Sequence, residues 1–103
     1  MGARLHTPFY GAFYCATGDR RKAAEAAKVA HDRGWPTLAL WSGRYASIRR
    51  TAGQMWVICA GPYGSKSRAE AAAAGMRAQR KSLRAMAPDL DIHFGETYVS
   101  LVQ

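Results

Sequence analysis

Cys15-Ala-Thr-Gly-Asp-Arg-Arg-Lys-Ala23 is restated as Gly61-Pro-Tyr-Gly-Ser-Lys-Ser-Arg-Ala69, 46 residues further along the chain. Gly18 falls on Gly64, Arg20 on Lys66, Lys22 on Arg68 and Ala23 on Ala69. Each copy follows an apolar run rich in aromatic residues and opens an alanine-rich segment. A period of this length marks a duplicated supersecondary unit. Two copies in 103 residues imply one small domain with pseudo-two-fold symmetry and are too few for a solenoid.

Outward from the first copy, residues 1–8 read as a lead-in and residues 9–16 (FYGAFYCA) as a strand of aromatic and small residues. Thr17-Gly18-Asp19 is a turn whose Asp19 caps a helix over 20–33. Ala23, Ala26, Ala27 and Ala30 share one face of that helix, and such small side chains let it sit close to a sheet. Gly34 stops it, and Trp35-Pro36 forbids continuation. Residues 37–41 (TLALW) form a short strand, and the polar stretch 42–53 a connection.

Outward from the second copy, residues 54–60 (QMWVICA) form a strand that Gly61-Pro62 ends. Ser67-Arg-Ala-Glu70 reads as a capping box, with hydroxyl and carboxylate satisfying the free amide donors of a new helix. That helix is expected to run to about Ala87, with Ala69, Ala72, Ala73, Met76, Leu83 and Met86 or Ala87 toward the core and Pro88 beyond its end. Residues 92–94 and 97–102 supply a last strand. The order β-α-β-β-α-β, as repeats over 9–46 and 54–102, predicts an α+β, ferredoxin-like split βαβ sandwich. Its four-stranded antiparallel sheet carries both helices on one face and leaves the other open.

Composition narrows the function classes. Hydrophobic residues make up 49% of the chain, and three Trp, five Tyr and three Phe argue against disorder. A formal charge of +8 favours anionic partners such as nucleic acid, anionic lipid, wall polymers or acidic proteins, although many basic domains bind none of these. Two cysteines do not make a disulfide framework, and no metal-ligand spacing surrounds them. No apolar run approaches the roughly 20 residues of a membrane span, so no membrane insertion is expected. Residues 1–17 lack the apolar stretch and cleavage site of a signal peptide, so a soluble chain that does not export itself is expected.

Trp56-Val-Ile-Cys-Ala-Gly-Pro-Tyr63, followed after five residues by Ala69-Glu-Ala71, resembles the second repeat of SPOR domains. Gly61, Pro62 and Tyr63 stand in that family's Gly-Pro-aromatic positions. The first half is similar but looser, with Cys15 for the family glycine, Thr17 for its aromatic and Phe13 where a glutamine is common. The helix exit Gly34-Trp35-Pro36-Thr37 matches the family's glycine-aromatic passage to strand two. The resemblance covers residues 9–102. It implies a non-catalytic module that binds peptidoglycan glycan strands stripped of their stem peptides, on the open sheet face and the loop between strands two and three. It also implies a place in the cell envelope or periplasm, at sites of cell division.

Strand alternation puts Val57 and Cys59 on the open face, with Phe13 and Cys15 from strand one. Strand two is expected to add Ala39 and Trp41, and the last strand Tyr98 and Ser100. Phe13, Trp41 and Tyr98 can stack on sugar rings or on bases, while Arg44, Arg49 and Arg50 in the central connection can pair with phosphate or carboxylate. The same face can equally be covered by a protein partner, since apolar patches mark interfaces of several kinds. Cys15 and Cys59 on one face leave open either a cross-strand disulfide or two reduced, buried thiols. Arg77, Arg80, Lys81 and Arg84 are expected on outer helix faces. His6, His31 and His93 are scattered, and no phosphate loop, acid pair or nucleophile constellation accompanies them, so neither an enzyme nor a cofactor is expected.

The sequence therefore carries three readings. The first is a glycan-binding module. The second is a structural subunit of a virion or envelope complex, homo- or hetero-oligomeric, which the missing export signal favours. The third, less supported, is a single-stranded RNA binder. RNA-recognition domains share the element order, but QMWVICA has none of the basic residues their third strand carries.

Overall fold

The computed structural model describes residues 8–45, 55–90, 92 and 94–103. Its elements are β1 (Phe9–Thr17), α1 (Arg20–Asp32), β2 (Thr37–Trp41), β3 (Trp56–Tyr63), α2 (Lys66–Ala78), α3 (Arg80–Met86) and β4 (Tyr98–Val102). Short 3-10 turns follow β2 at Ser42–Arg44 and precede β4 at Phe94–Glu96. The strands form one antiparallel sheet in the order β2-β3-β1-β4, with the first strands of the two repeats at its centre. This is the α+β, ferredoxin-like architecture expected from the sequence.

The duplication extends to the helix starts. Asp19 and Ser65 occupy equivalent positions and cap α1 and α2, each of 13 residues. Asp19 Oδ1 accepts from Arg21 N at 2.9 Å, and Ser65 Oγ from Arg68 N at 3.3 Å, satisfying amide donors that lack a helical partner. The buried face of α1 is Ala23, Ala26, Val29 and Ala30, and that of α2 is Ala69, Ala72, Ala73 and Met76. At the end of α1, Trp35 N donates to Ala30 O and Gly34 N to His31 O, with Gly34 at φ +99°. That paired pattern is a Schellman motif, and its left-handed position is why glycine stands there.

Alanines hold both helices close to the sheet. Ala12, Tyr14, Ile58 and Ala60 rise from the sheet into the core between the layers, where Phe94 and Leu83 join them. The Tyr14 hydroxyl donates to Ala26 O of α1 at 2.7 Å, and its ring stacks on Phe94. A second apolar cluster occupies the opposite face: Phe9, Phe13, Leu40, Val57, Cys59 and Val102.

Several local expectations need correction. Gly61-Pro62 does not end β3. The strand runs on to Tyr63 through an irregularity in which Tyr10 pairs with Tyr63 and Ala12 with Ala60. Gly61 has φ +149° and the Gly61–Pro62 peptide is cis. The helix cap is Ser65, not Ser67, because the hydroxyl two residues earlier already reaches the Arg68 amide. The long second helix divides at Gln79 into α2 and α3, which keeps both Met76 and Leu83 fully buried. Ile92 and Phe94 do not extend the last strand, since Ile92 lies outside any strand and Phe94 opens a 3-10 turn, and residue 93 lies outside the described residues.

The helix arginines are not all idle surface charge. Arg77 donates through Nε and Nη2 to Thr97 O at 2.9 and 2.7 Å, and Arg84 through Nη1 to Ile92 O at 3.0 Å. Each helix is thereby tied to the segment that leads into β4.

Candidate ligand-binding face

The helix-free face is built on β1, with β3 and β4 on either side. Phe13 pairs with Cys59 on β3 and with Tyr98 on β4. The Phe13 and Tyr98 rings stack with centroids 5.7 Å apart and planes 22° apart. Phe13, Val57, Cys59 and Tyr98, four of the residues singled out in the sequence, therefore share one face as expected.

Their exposure differs sharply. Phe13 is 2% exposed and Cys59 is fully buried, whereas Tyr98 is 51% exposed. The centre of the face is thus closed, and among the described residues Tyr98 is its exposed large side chain, with Leu38 and Tyr45 half-buried against the same cluster. Ser100 lies two residues along β4 on the same side and is half-buried. Burial pushes the Cys59 thiol up to about 12, so it stays protonated and unreactive at neutral pH. Burial chiefly, with Cys59 second, raises the Tyr98 phenol above its ordinary range, so it remains a neutral hydrogen-bond donor.

Trp41 is not on this face. Leu40 pairs with Val57 and Trp41 with Trp56, so Leu38 and Leu40 point to the outer cluster and Trp41 to the side of Trp56. The two indoles meet edge to face with centroids 5.3 Å apart. A one-residue phase difference inverts a whole strand, and burying two leucines outweighs burying Ala39, which is exposed. Leu38 and Leu40 are the outer-face residues that the sequence phase missed, while Phe9 and Val102 follow the phase given for Phe13 and Tyr98.

Cys15 also changes sides. Phe13 pairs with Cys59 but Cys15 with Ile58, which leaves Tyr14 as an extra residue in β1. This bulge keeps the Tyr14 ring on the helix side and carries Cys15 there as well, packed against the inner core. Both cysteines are reduced thiols on opposite faces, which closes the disulfide alternative.

Arg44 lies exposed in the 3-10 turn after β2. That turn is closed by Ser42, whose N–H donates to Met55 O and whose Oγ accepts from Met55 N at 2.9 Å. Arg49 and Arg50 lie outside the described residues. Among the described residues no His, Cys, Asp and Glu cluster could hold a metal, and no helix is long and apolar enough to cross a membrane.

No protein family model matches the chain, no curated protein matches its sequence, and no solved structure matches it.

Proposed function

We propose that this chain is a non-catalytic binding module of the SPOR type, recognising the glycan strand of peptidoglycan on its helix-free sheet face around Tyr98. The observation that carries this reading is the half-exposed Tyr98 ring, held by stacking on the buried Phe13. A ring fixed from beneath loses little freedom on binding, and its outer surface suits the apolar C–H side of a pyranose. The neutral phenol and the nearby Ser100 hydroxyl suit sugar hydroxyls and amides. The Gly61-Pro62-Tyr63 motif and the duplicated βαβ unit support the same reading through their resemblance to SPOR domains.

Burial of the outer cluster also weighs against a large protein interface on this face. Phe13, Val57, Cys59 and Val102 are buried within the single chain, so they need no partner to leave water. Among the described residues Tyr98 is the one exposed large side chain at this cluster, a small footprint for an assembly contact and an ordinary one for a sugar ring.

Co-sedimentation with purified sacculi tests the proposal. Tyr98→Ala should weaken binding about fivefold to tenfold, the worth of one aromatic stacking contact. Binding should change little with salt. Loss of sacculus binding together with a steep salt-dependent affinity for single-stranded RNA, of slope about −0.7 per phosphate neutralised, would replace the glycan by nucleic acid. Absence of both activities, with self-association abolished by Tyr98→Asp, would make the face an assembly surface.

A further inference from the structure

Two sequence signatures distant along the chain meet at one point of the fold. The Schellman turn after α1 delivers Trp35, and the irregularity in β3 delivers Tyr63. Gly61 N donates to Pro36 O at 2.9 Å and ties the two segments together. Trp35 and Tyr63, both half-buried, then line one shallow, open trough of about 470 Å³ with Arg68, Ala71 and Ala72 of α2. The trough lies on the helix-bearing side, apart from Tyr98.

Trp35 is seated against the helix backbone. A Cβ on Gly75 would stand 3.2 Å from Trp35 Cζ2, so the missing side chain lets the indole lie a few tenths of an ångström closer to the helix. The indole thereby packs against α2 at the trough wall.

Arg68, exposed in the first turn of α2, is the charged residue of the lining, and it shares the trough with the two aromatic side chains and with Ala71 and Ala72.

We infer that this trough is a second saccharide subsite, which takes an acidic pyranose with its ring on Trp35 and Tyr63 and its carboxylate on Arg68. The rings supply a flat apolar wall for the sugar C–H groups, and the open rim leaves the hydroxyls in water. Arginine matches a carboxylate with two parallel N–H bonds. A nucleotide fits less well, since one arginine on an open trough offers little to a phosphate chain. The subsite shares its ligand class with the proposed function but not its surface, so either can fail alone.

NMR titration of the full chain separates them. The probes are the disaccharide of N-acetylglucosamine and N-acetylmuramic acid, which bears a free lactyl carboxylate, and the neutral disaccharide N,N′-diacetylchitobiose. The acidic sugar should shift the Trp35 indole N–H and the Arg68 and Ala71 amides, and should bind about tenfold more tightly than the neutral one through its charge-assisted pair. Arg68→Gln should erase that preference. Ala71→Glu, at an exposed helix position, should abolish the Trp35 shift and leave any response at Tyr98 intact. Shifts confined to Tyr98 would overturn the subsite and leave the sheet-face proposal standing. Shifts at Trp35, together with sacculus binding that ignores Tyr98→Ala, would do the reverse. A larger Trp35 shift with adenosine monophosphate than with either sugar would reject the saccharide assignment.

Discussion

At Gly61 the backbone adopts φ +149°, and a Cβ there would sit 3.1 Å from Tyr10 O. Both conditions penalise any side chain, because the conformation is one that L-residues rarely reach and the obstructing atom is backbone. Gly61→Val should therefore cost at least roughly 1–3 kcal/mol. Gly64, the repeat's turn glycine, has no atom within 4 Å of its Cβ position and no positive φ. Gly64→Ala should stay within about 0.5 kcal/mol. Urea denaturation of the two variants checks the contrast, and equal midpoints would refute it. Arg77 tells the opposite story from its sequence context. It sits among surface-patterned charges, yet its guanidinium holds Thr97 O with two hydrogen bonds. Arg77→Ala should cost about 1–2 kcal/mol, since hydrogen bonds to charged donors exceed neutral ones. Lys81→Ala, on an exposed neighbour, should be nearly silent in the same denaturation series. No pattern of residue types announces this role, because a backbone acceptor leaves no signature in the sequence.

The strand β1 shows where sequence reading succeeds and where it stops. Its aromatic and small residues specify a strand, and the repeat places it beside β3 at the sheet centre. Alternation assigns Ala12 and Phe13 to the correct faces. It fails at Cys15, because the bulge at Tyr14 resets the phase and is set by a tertiary contact, the Tyr14 hydroxyl on Ala26 O. It fails throughout β2, because five residues with apolar side chains on both faces fit either phase until pairing with β3 fixes one. The helix break at Gln79 is likewise chosen by the core and by arginine tethers, in a segment whose helix propensity is continuous. Tyr14 also gives β1 and α1 a joint pH response. Burial raises its phenol above the usual 10, and burial raises Cys59 from 9.0 to about 12. The folded state therefore keeps protons that the unfolded chain releases, first at Cys59 and then at Tyr14. Stability should be full below pH 9 and fall as pH rises toward 12, by about 1.4 kcal/mol per pH unit for each proton involved. Urea midpoints at pH 7, 9 and 10.5 measure the decline. Tyr14→Phe should lower stability at pH 7 by about 0.5–1.5 kcal/mol, for the lost hydrogen bond, and flatten the slope above pH 10. An unchanged slope would show that Tyr14 ionises as freely in the folded chain as in the unfolded one.

Across the whole molecule, the duplication governs the architecture. Equivalent caps start equivalent helices of equal length, and the two first strands pair at the centre. The central pairing follows from two nine-residue copies and the element order, whereas the Ser65 cap and the break that gives α2 the length of α1 do not. The site was only partly legible. Phe13, Val57, Cys59 and Tyr98 share a face as their strand positions imply, but exposure depends on how the whole chain packs, and it leaves Tyr98 as the accessible ring. The proposed role of this ring is to recognise glycan freed of its peptides. The most direct measurement is the fraction of protein bound to sacculi before and after an amidase removes the stem peptides. Wild type should bind several-fold more after treatment, and Tyr98→Ala should gain little. Equal binding to intact and stripped sacculi, or a Tyr98→Ala variant that gains as much as wild type, would contradict the account.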